Sequence, residues 1–208
     1  MRYERKYRIE SSDYDNIYHE LMSNPCGFRI AYPDRIVNSI YYDDIDYSAY
    51  NDNLLGIGHR VKYRVRWYGS SLTQITQPIL EKKIKKNLLG TKVYQQLPDF
   101  DLNEGAPRLP ETFIYPSNHL YPYIIVRYHR TYLESIDRHL RATIDKDLEY
   151  ISLLNGHLSP IRRTDPGLIL EIKYEEDRVE EARLCTSMIP YRLTKNSKYV
   201  SGMQGLLM

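Results

Sequence analysis

The chain has 208 residues, with 29 lysines and arginines against 27 aspartates and glutamates, and its net charge of +2 gives no general pull toward nucleic acid or an anionic membrane. That length holds one domain with a real core, residues 1–208 as a unit, and no break in composition marks a second. The opening Met1-Arg2-Tyr3-Glu4-Arg5-Lys6 is not an apolar leader, no run approaches the roughly 20 apolar residues of a membrane helix, and Cys26 and Cys185 lack metal-ligand spacing, so a soluble cytoplasmic protein with free thiols is expected.

A first strand is predicted at about 2–9, with Arg2, Glu4, Lys6 and Arg8 on one face. A helix follows at about 12–23, where Ser11, Ser12 and Asp13 offer caps, Tyr14, Ile17, Tyr18 and Leu21 form a stripe, and Asn24-Pro25 ends it. Strands come next at about 36–43, 59–68, 78–86 and 91–96. In the second of these, Lys62, Arg64 and Arg66 alternate with Val61, Tyr63, Val65 and Trp67; in the third, Glu81, Lys83 and Lys85 share a face. The stretch 97–122 carries Pro98, Pro107, Pro110, Pro116 and Pro122 and reads as a long surface connection. Strands at about 123–133 and 139–148 include Arg130 and Arg141, and one at about 167–175 sets Glu171 and Lys173 opposite Leu168, Leu170, Ile172 and Tyr174. A helix at about 176–188 turns Val179, Ala182, Cys185 or Thr186, and Met188 or Ile189 inward, and a short helix begins after Asn196 and ends near Gly202. The 21 tyrosines suit a chain built mostly of strands.

One charged strand face means only a solvated surface, but here the habit recurs in strand after strand. An open sandwich would leave two unusually basic outer faces, whereas a closed barrel with charge inward and apolar residues outward under flanking helices makes a lined tunnel. The expected fold is therefore mainly β (α+β), a closed eight-stranded antiparallel barrel. Such a lining of cations with a few carboxylates suits a polyanion that arrives with a divalent metal. Glu171 sits among Leu168, Ile169, Leu170 and Ile172, where an acid needs a lysine or a metal as partner. The six histidines form no ligand pair, and there is no phosphate-binding P-loop, nucleophile elbow or zinc-protease motif.

On these segments the sequence resembles the triphosphate tunnel metalloenzymes and, among them, the polyphosphate polymerase domain of the vacuolar transporter chaperone family. Arg2-Tyr3-Glu4-Arg5-Lys6-Tyr7 resembles the opening strand, Tyr63 to Gly69 the paired-arginine strand, and Leu80-Glu81-Lys82-Lys83-Ile84-Lys85 the E-x-K-x-K strand. Tyr128 to Tyr132 and Arg141 to Asp145 resemble two later strands, Leu170 to Tyr174 the metal-binding strand, and Lys195-Asn196-Ser197-Lys198-Tyr199 the closing motif. The wider superfamily opens with E-x-E-x-K, and Arg2 replaces its first acid, which favours the polymerase branch over simple triphosphatases. The N-terminal regulatory domain and membrane segments of some eukaryotic relatives are not expected here.

The resemblance implies transfer of the terminal phosphoryl group of ATP to a growing polyphosphate chain. It assigns Lys6, Arg64, Arg66, Lys83, Arg130, Arg141 and Lys173 to the phosphates. Lys195, Ser197 and Lys198 fall to catalysis, with Lys198 stabilising the transferring group. Glu171 would hold Mn²⁺ or Mg²⁺, with Glu4 and Glu81 adding outer-sphere metal contacts or orienting neighbouring lysines, and Lys85 and Lys92 are lesser candidates. The implied partners are ATP and polyphosphate without nucleic acid, and whether a membrane protein receives the product stays open. One alternative is a triphosphatase that hydrolyses tripolyphosphate or a nucleoside triphosphate; another is a non-catalytic barrel that binds nucleic acid through tyrosines, Trp67 and basic faces.

Overall fold

The structure, a computed structural model, describes residues 2–10, 14–86, 89–113 and 119–207. In chain order the elements are β1 (Arg2–Ile9), α1 (Tyr14–Met22), β2 (Arg29–Asp43), α2 (Ser48–Leu54), β3 (His59–Tyr68), β4 (Gln74–Ile75), β5 (Ile79–Lys86), β6 (Leu89–Gln96) and β7 (Phe100–Asp101). There follow β8 (Tyr121–Glu134), β9 (Arg141–Leu154), β10 (His157–Asp165), β11 (Leu168–Glu175), a single 3-10 turn at Glu176–Arg178, α3 (Val179–Ser187) and α4 (Lys198–Leu207). The protein is mainly β, with antiparallel pairing and flanking helices. Among the described residues no helix is long and apolar enough to cross a membrane.

The strand order is β1-β11-β9-β8-β2-β3-β5-β6, with β10 added to β9, while β4 and β7 form a separate two-stranded ribbon. This corrects the expectation of a closed eight-stranded barrel: among the described residues the order runs open from β1 to β6. The outer edge of β1 is occupied instead by a C-terminal segment, where Tyr7 bridges to Leu193 and the Thr194 amide donates to the Lys6 carbonyl at 2.8 Å. Alternation fixes which face a side chain takes but not what pairs with an edge.

Two compact units emerge, the first comprising residues 1–35, 128–148 and 165–196, the second 36–127, 149–164 and 197–208. In the first, the apolar faces of β1 (Tyr7, Ile9), β9 (Ala142, Ile144) and β11 (Leu168, Leu170, Ile172, Tyr174) pack with Ile17 and Leu21 of α1 and Ala182 and Cys185 of α3. Tyr14 and Tyr18 lie against this core, so the α1 stripe is as read from its spacing. In α3, Thr186 is buried and Ile189 follows it inward, but Val179 and Met188 are exposed. Cys26 and Cys185 are both free.

In the second unit Tyr63, Val65 and Trp67 of β3 join Ile40, Leu80, Ile125 and Ile151 in a core. The cover over this core overturns one sequence expectation. Leu97, Leu102, Leu109 and Phe113 come from the proline-rich stretch taken for a surface connection, yet all four are buried. Proline removes backbone donors without reducing the apolar area that leucine can bury, so such a segment can still roof a core.

Four elements have no counterpart in the sequence reading: α2, β10 and the two short strands β4 and β7. The hairpin β9–β10 turns on Asn155-Gly156, both at positive φ (50° and 83°), the conformation a two-residue hairpin loop needs. Helix α2 is capped from outside itself: the buried Asp43 carboxylate accepts the Ala49 and Tyr50 amides at 2.9 and 3.0 Å.

Candidate active site

In the first unit, β1 and β11 run antiparallel with Lys6 opposite Glu171 and Glu4 opposite Lys173. Acid therefore meets base across the ladder as well as along each strand. The Glu171 carboxylate is buried, 2.6 Å from the Lys173 ammonium and 3.7 Å from that of Lys6. Burial alone would raise its pKa, but Lys6, Lys173 and Arg130 outweigh that and hold it well below the usual carboxylate range. Arg130, on β8, lies with its guanidinium against Asp145 of β9 in a two-pronged pair at 2.5 and 2.7 Å. Burial works against its charge, but Asp145 more than compensates and its pKa is raised well above normal. The Tyr128 and Tyr132 rings lie 5.2 and 5.8 Å from its Cζ.

Two carboxylates, Glu4 and Glu171, thus flank Lys6, which is 3.4 Å from Glu4 and also donates to the Asn196 carbonyl at 3.5 Å. Directly opposite Glu171, on β9, is Thr143, whose buried hydroxyl has no hydrogen-bond partner. Among the described residues no group of three or more His, Cys, Asp or Glu side chains gathers around one point. That donor set does not make an all-protein metal cage. One or two ionised carboxylates beside an unsatisfied hydroxyl do fit Mg²⁺ or Mn²⁺, which keeps waters and takes its remaining oxygens from phosphates.

The second unit has a different charge balance. The paired strands β3, β5 and β6 align Lys62 with Lys83, Lys83 with Lys92, and Arg64 with Glu81. Arg60, Lys62, Arg64, Arg66, Lys83, Lys85 and Lys92 share this face with Glu81, the one acid these strands contain. The Arg64 Nε and its neighbouring terminal nitrogen bond Glu81 Oε2 at 2.8 and 2.5 Å, Arg66 lies 3.3 Å from Oε1, and Lys92 is 3.9 Å away. Burial opposes ionisation of Glu81, yet Arg64, Arg66 and Lys92 pull its pKa down to about 2. A carboxylate so engaged orients arginines. Beside Arg66 on β2, the buried Ser39 hydroxyl is a second polar atom lacking a hydrogen bond. A face this rich in cations, with arginines held by one carboxylate, is preorganised for a polyanion.

At the start of α4, Ser197 Oγ accepts from the Lys62 ammonium at 2.8 Å. The first turn of α4 is fastened by Tyr199, whose hydroxyl donates to Asp43 at 2.6 Å while its ring stacks on Tyr41 at 5.2 Å. Tyr41 in turn accepts a hydrogen bond from Arg64 at 3.0 Å. Lys198 therefore sits between two anchored residues. Gly202 lets α4 lie close: a Cβ there would come within 2.6 Å of Tyr150 and 2.7 Å of Ile124.

The structure gathers the sequence candidates into two groups. Glu4, Lys6, Arg130, Glu171 and Lys173 form one, and Arg64, Arg66, Glu81, Lys92, Lys62 and Ser197 the other. Lys83 and Lys85 lie on the second face, and Arg141 lies exposed opposite Lys173. Lys195 is exposed on the loop before α4. The sequence reading gave no role to Tyr41, Asp43, Thr143 or Tyr199, since their signal is an uncompensated or partnered buried polar atom, visible only once distant segments are brought together.

The sequence model of the VTC domain family matches residues 1–105 and 111–207. No curated protein matches the chain. Among solved structures, a Hippeastrum protein described as an adenylyl cyclase candidate with dominant triphosphatase activity aligns over 100% of this chain and 98% of its own, at 15% identity and TM-score 0.52. A Vibrio parahaemolyticus protein described as an adenylate cyclase candidate aligns over 96% and 97%, at 9% identity and TM-score 0.53. At these identities the likeness is one of fold.

Proposed function

The chain belongs to the VTC domain family, and on that premise we propose that it is a metal-dependent phosphotransferase, a single domain that passes the terminal phosphoryl group of ATP to a polyphosphate chain. The observation that carries this reading is the face of β3, β5 and β6, which seven basic side chains share with one arginine-bound carboxylate. Phosphoryl transfer asks little covalent help of a protein; it asks for in-line positioning and neutralised phosphate oxygens.

In this reading Arg64 and Arg66, held by Glu81, grip phosphate oxygens with Lys62, Lys83 and Lys92 beside them. In the first unit Lys6, Arg130, Arg141 and Lys173 are the cations for phosphate, and in the second Lys198, on a segment fixed by Ser197 and Tyr199, offers a point charge to the transferring group, with Lys195 nearby in sequence. Glu171, with Glu4, would hold Mn²⁺ or Mg²⁺, which supplies charge neutralisation between phosphate oxygens. Glu81 is a positioning residue.

Incubating the pure protein with ATP and Mn²⁺ and resolving the products tests the proposal. Long-chain polyphosphate supports it; free phosphate alone replaces it with a triphosphatase, and neither product refutes both. Glu171→Gln is expected to abolish metal-dependent turnover with the fold intact by circular dichroism, and to weaken triphosphate binding less than Arg64→Ala does. Wild-type turnover in that variant at ordinary Mn²⁺ would overturn the metal assignment.

A further inference from the structure

At the end of the charged face in the first unit, Arg138, His139, Arg141, Lys173, Tyr174 and Glu175 line a recess of about 120 Å³. Arg141 and Lys173 are paired across β9 and β11, two residues along the strands from the Glu171–Thr143 pair, a rise of roughly 7 Å. Arg138 and His139 belong to neither strand. They come from the β8–β9 turn, and no motif in the sequence singled them out.

That turn is built to hold its shape. Ser135 and Leu140 close it by backbone bonding at 2.9 Å, the Ser135 hydroxyl accepts the Leu140 amide at 2.9 Å and donates to Asp137 at 2.5 Å, and Asp137 accepts the His139 amide at 3.0 Å. Within it Arg138 adopts φ 64°, a left-handed conformation that glycine takes freely and an arginine takes only at a cost. Its side chain is mostly exposed and reaches Glu134 at 3.5 Å. The Arg138 amide donates to the Ser135 carbonyl at 2.9 Å, so the turn itself sets this conformation and holds a long cation at the rim of a basic recess, where an anion can meet it. Beside the acids Glu134 and Glu175, the recess gathers Arg138, Arg141, the His139 ring and Lys173, which also holds Glu171, as groups an anion can meet.

Resting on the phosphotransferase reading, we infer that Arg138 and His139 form a subsite that takes the phosphates of a condensed phosphate chain beyond the third, so that this recess reads chain length. A triphosphate engages only the strand cations. A longer chain continues along the face past Lys173 and Arg141 and meets the turn.

Equilibrium binding of tripolyphosphate and of long-chain polyphosphate, compared per chain, tests this. The wild-type protein is expected to bind the long chain about tenfold more tightly, the size of one charge-assisted contact. Arg138→Ala/His139→Ala should lose that preference and leave tripolyphosphate affinity unchanged. Arg138→Gly separates function from folding, since it relieves the left-handed strain: it should raise the melting temperature and still lower long-chain affinity. Equal wild-type affinities, or a preference that survives in the double variant, overturn the inference while the phosphotransferase reading stands. Failure to bind either phosphate sinks that reading itself. A single-stranded oligonucleotide that binds as tightly as long-chain polyphosphate, and loses affinity in the double variant, would make the recess a general polyanion patch and overturn the chain-length role.

Discussion

Glu81 and Glu171 are both buried acids kept ionised by cations, and the consequence for stability has a definite sign. The Glu81 pKa falls from 4.5 to about 2 on folding, so its contribution is present above about pH 4.5 and is lost as pH drops toward 2. The size is about 3 kcal/mol. Glu81→Gln should therefore flatten the stability profile across that acid window, as urea unfolding at a series of pH values would reveal; an unchanged acid limb would show the ion pairs add nothing. Tyr199 and Asp43 make the second residue-scale case. Tyr199→Phe deletes a buried hydrogen bond to a carboxylate, worth about 1–3 kcal/mol. Urea unfolding should register that loss, and Asp43→Ala should cost more because the Ala49 and Tyr50 amides of α2 lose their acceptor too. These residues also mark how far the sequence was legible. Glu171 stood out because an acid in an apolar run needs a partner nearby, a local fact. Arg130–Asp145 and Asp43–Tyr199 join positions 15 and 156 residues apart, which no local pattern encodes.

Strands were the most legible elements because a period of two carries both the element and its faces. The β3 segment matches the reading residue for residue, His59–Tyr68, with its basic and apolar sides as expected. What alternation cannot supply is the partner of an edge, and that is where the closed barrel failed. It also cannot see a core roof made of irregular chain. Leu102 lies in the segment first read as surface and is fully buried, with its amide bonded to the Thr73 carbonyl at 2.8 Å. Leu102→Ala is accordingly expected to cost about 2–5 kcal/mol, whereas a surface leucine would cost less than about 0.5 kcal/mol. Thermal or chemical denaturation separates these readily.

For the whole molecule, four strands, β2, β8, β9 and β10, each carry residues of both compact units. We expect one cooperative unfolding transition, because a strand cannot lose its ladder in one unit and keep it one residue further on at no cost. Trp67, the sole tryptophan, is buried in the second unit, so its fluorescence reports that unit while far-ultraviolet circular dichroism reports both. Coincident midpoints support a single domain; separated midpoints would make it two. The C-terminal cover on β1 bears on solubility. An uncovered strand edge is a template on which a second chain can add, and β1 would offer Tyr7 and Ile9 to it. By bonding Thr194 to Lys6 and bridging Leu193 to Tyr7, the loop before α4 takes up part of that edge, and it does so at the very residue whose side chain faces the acids of the charged face.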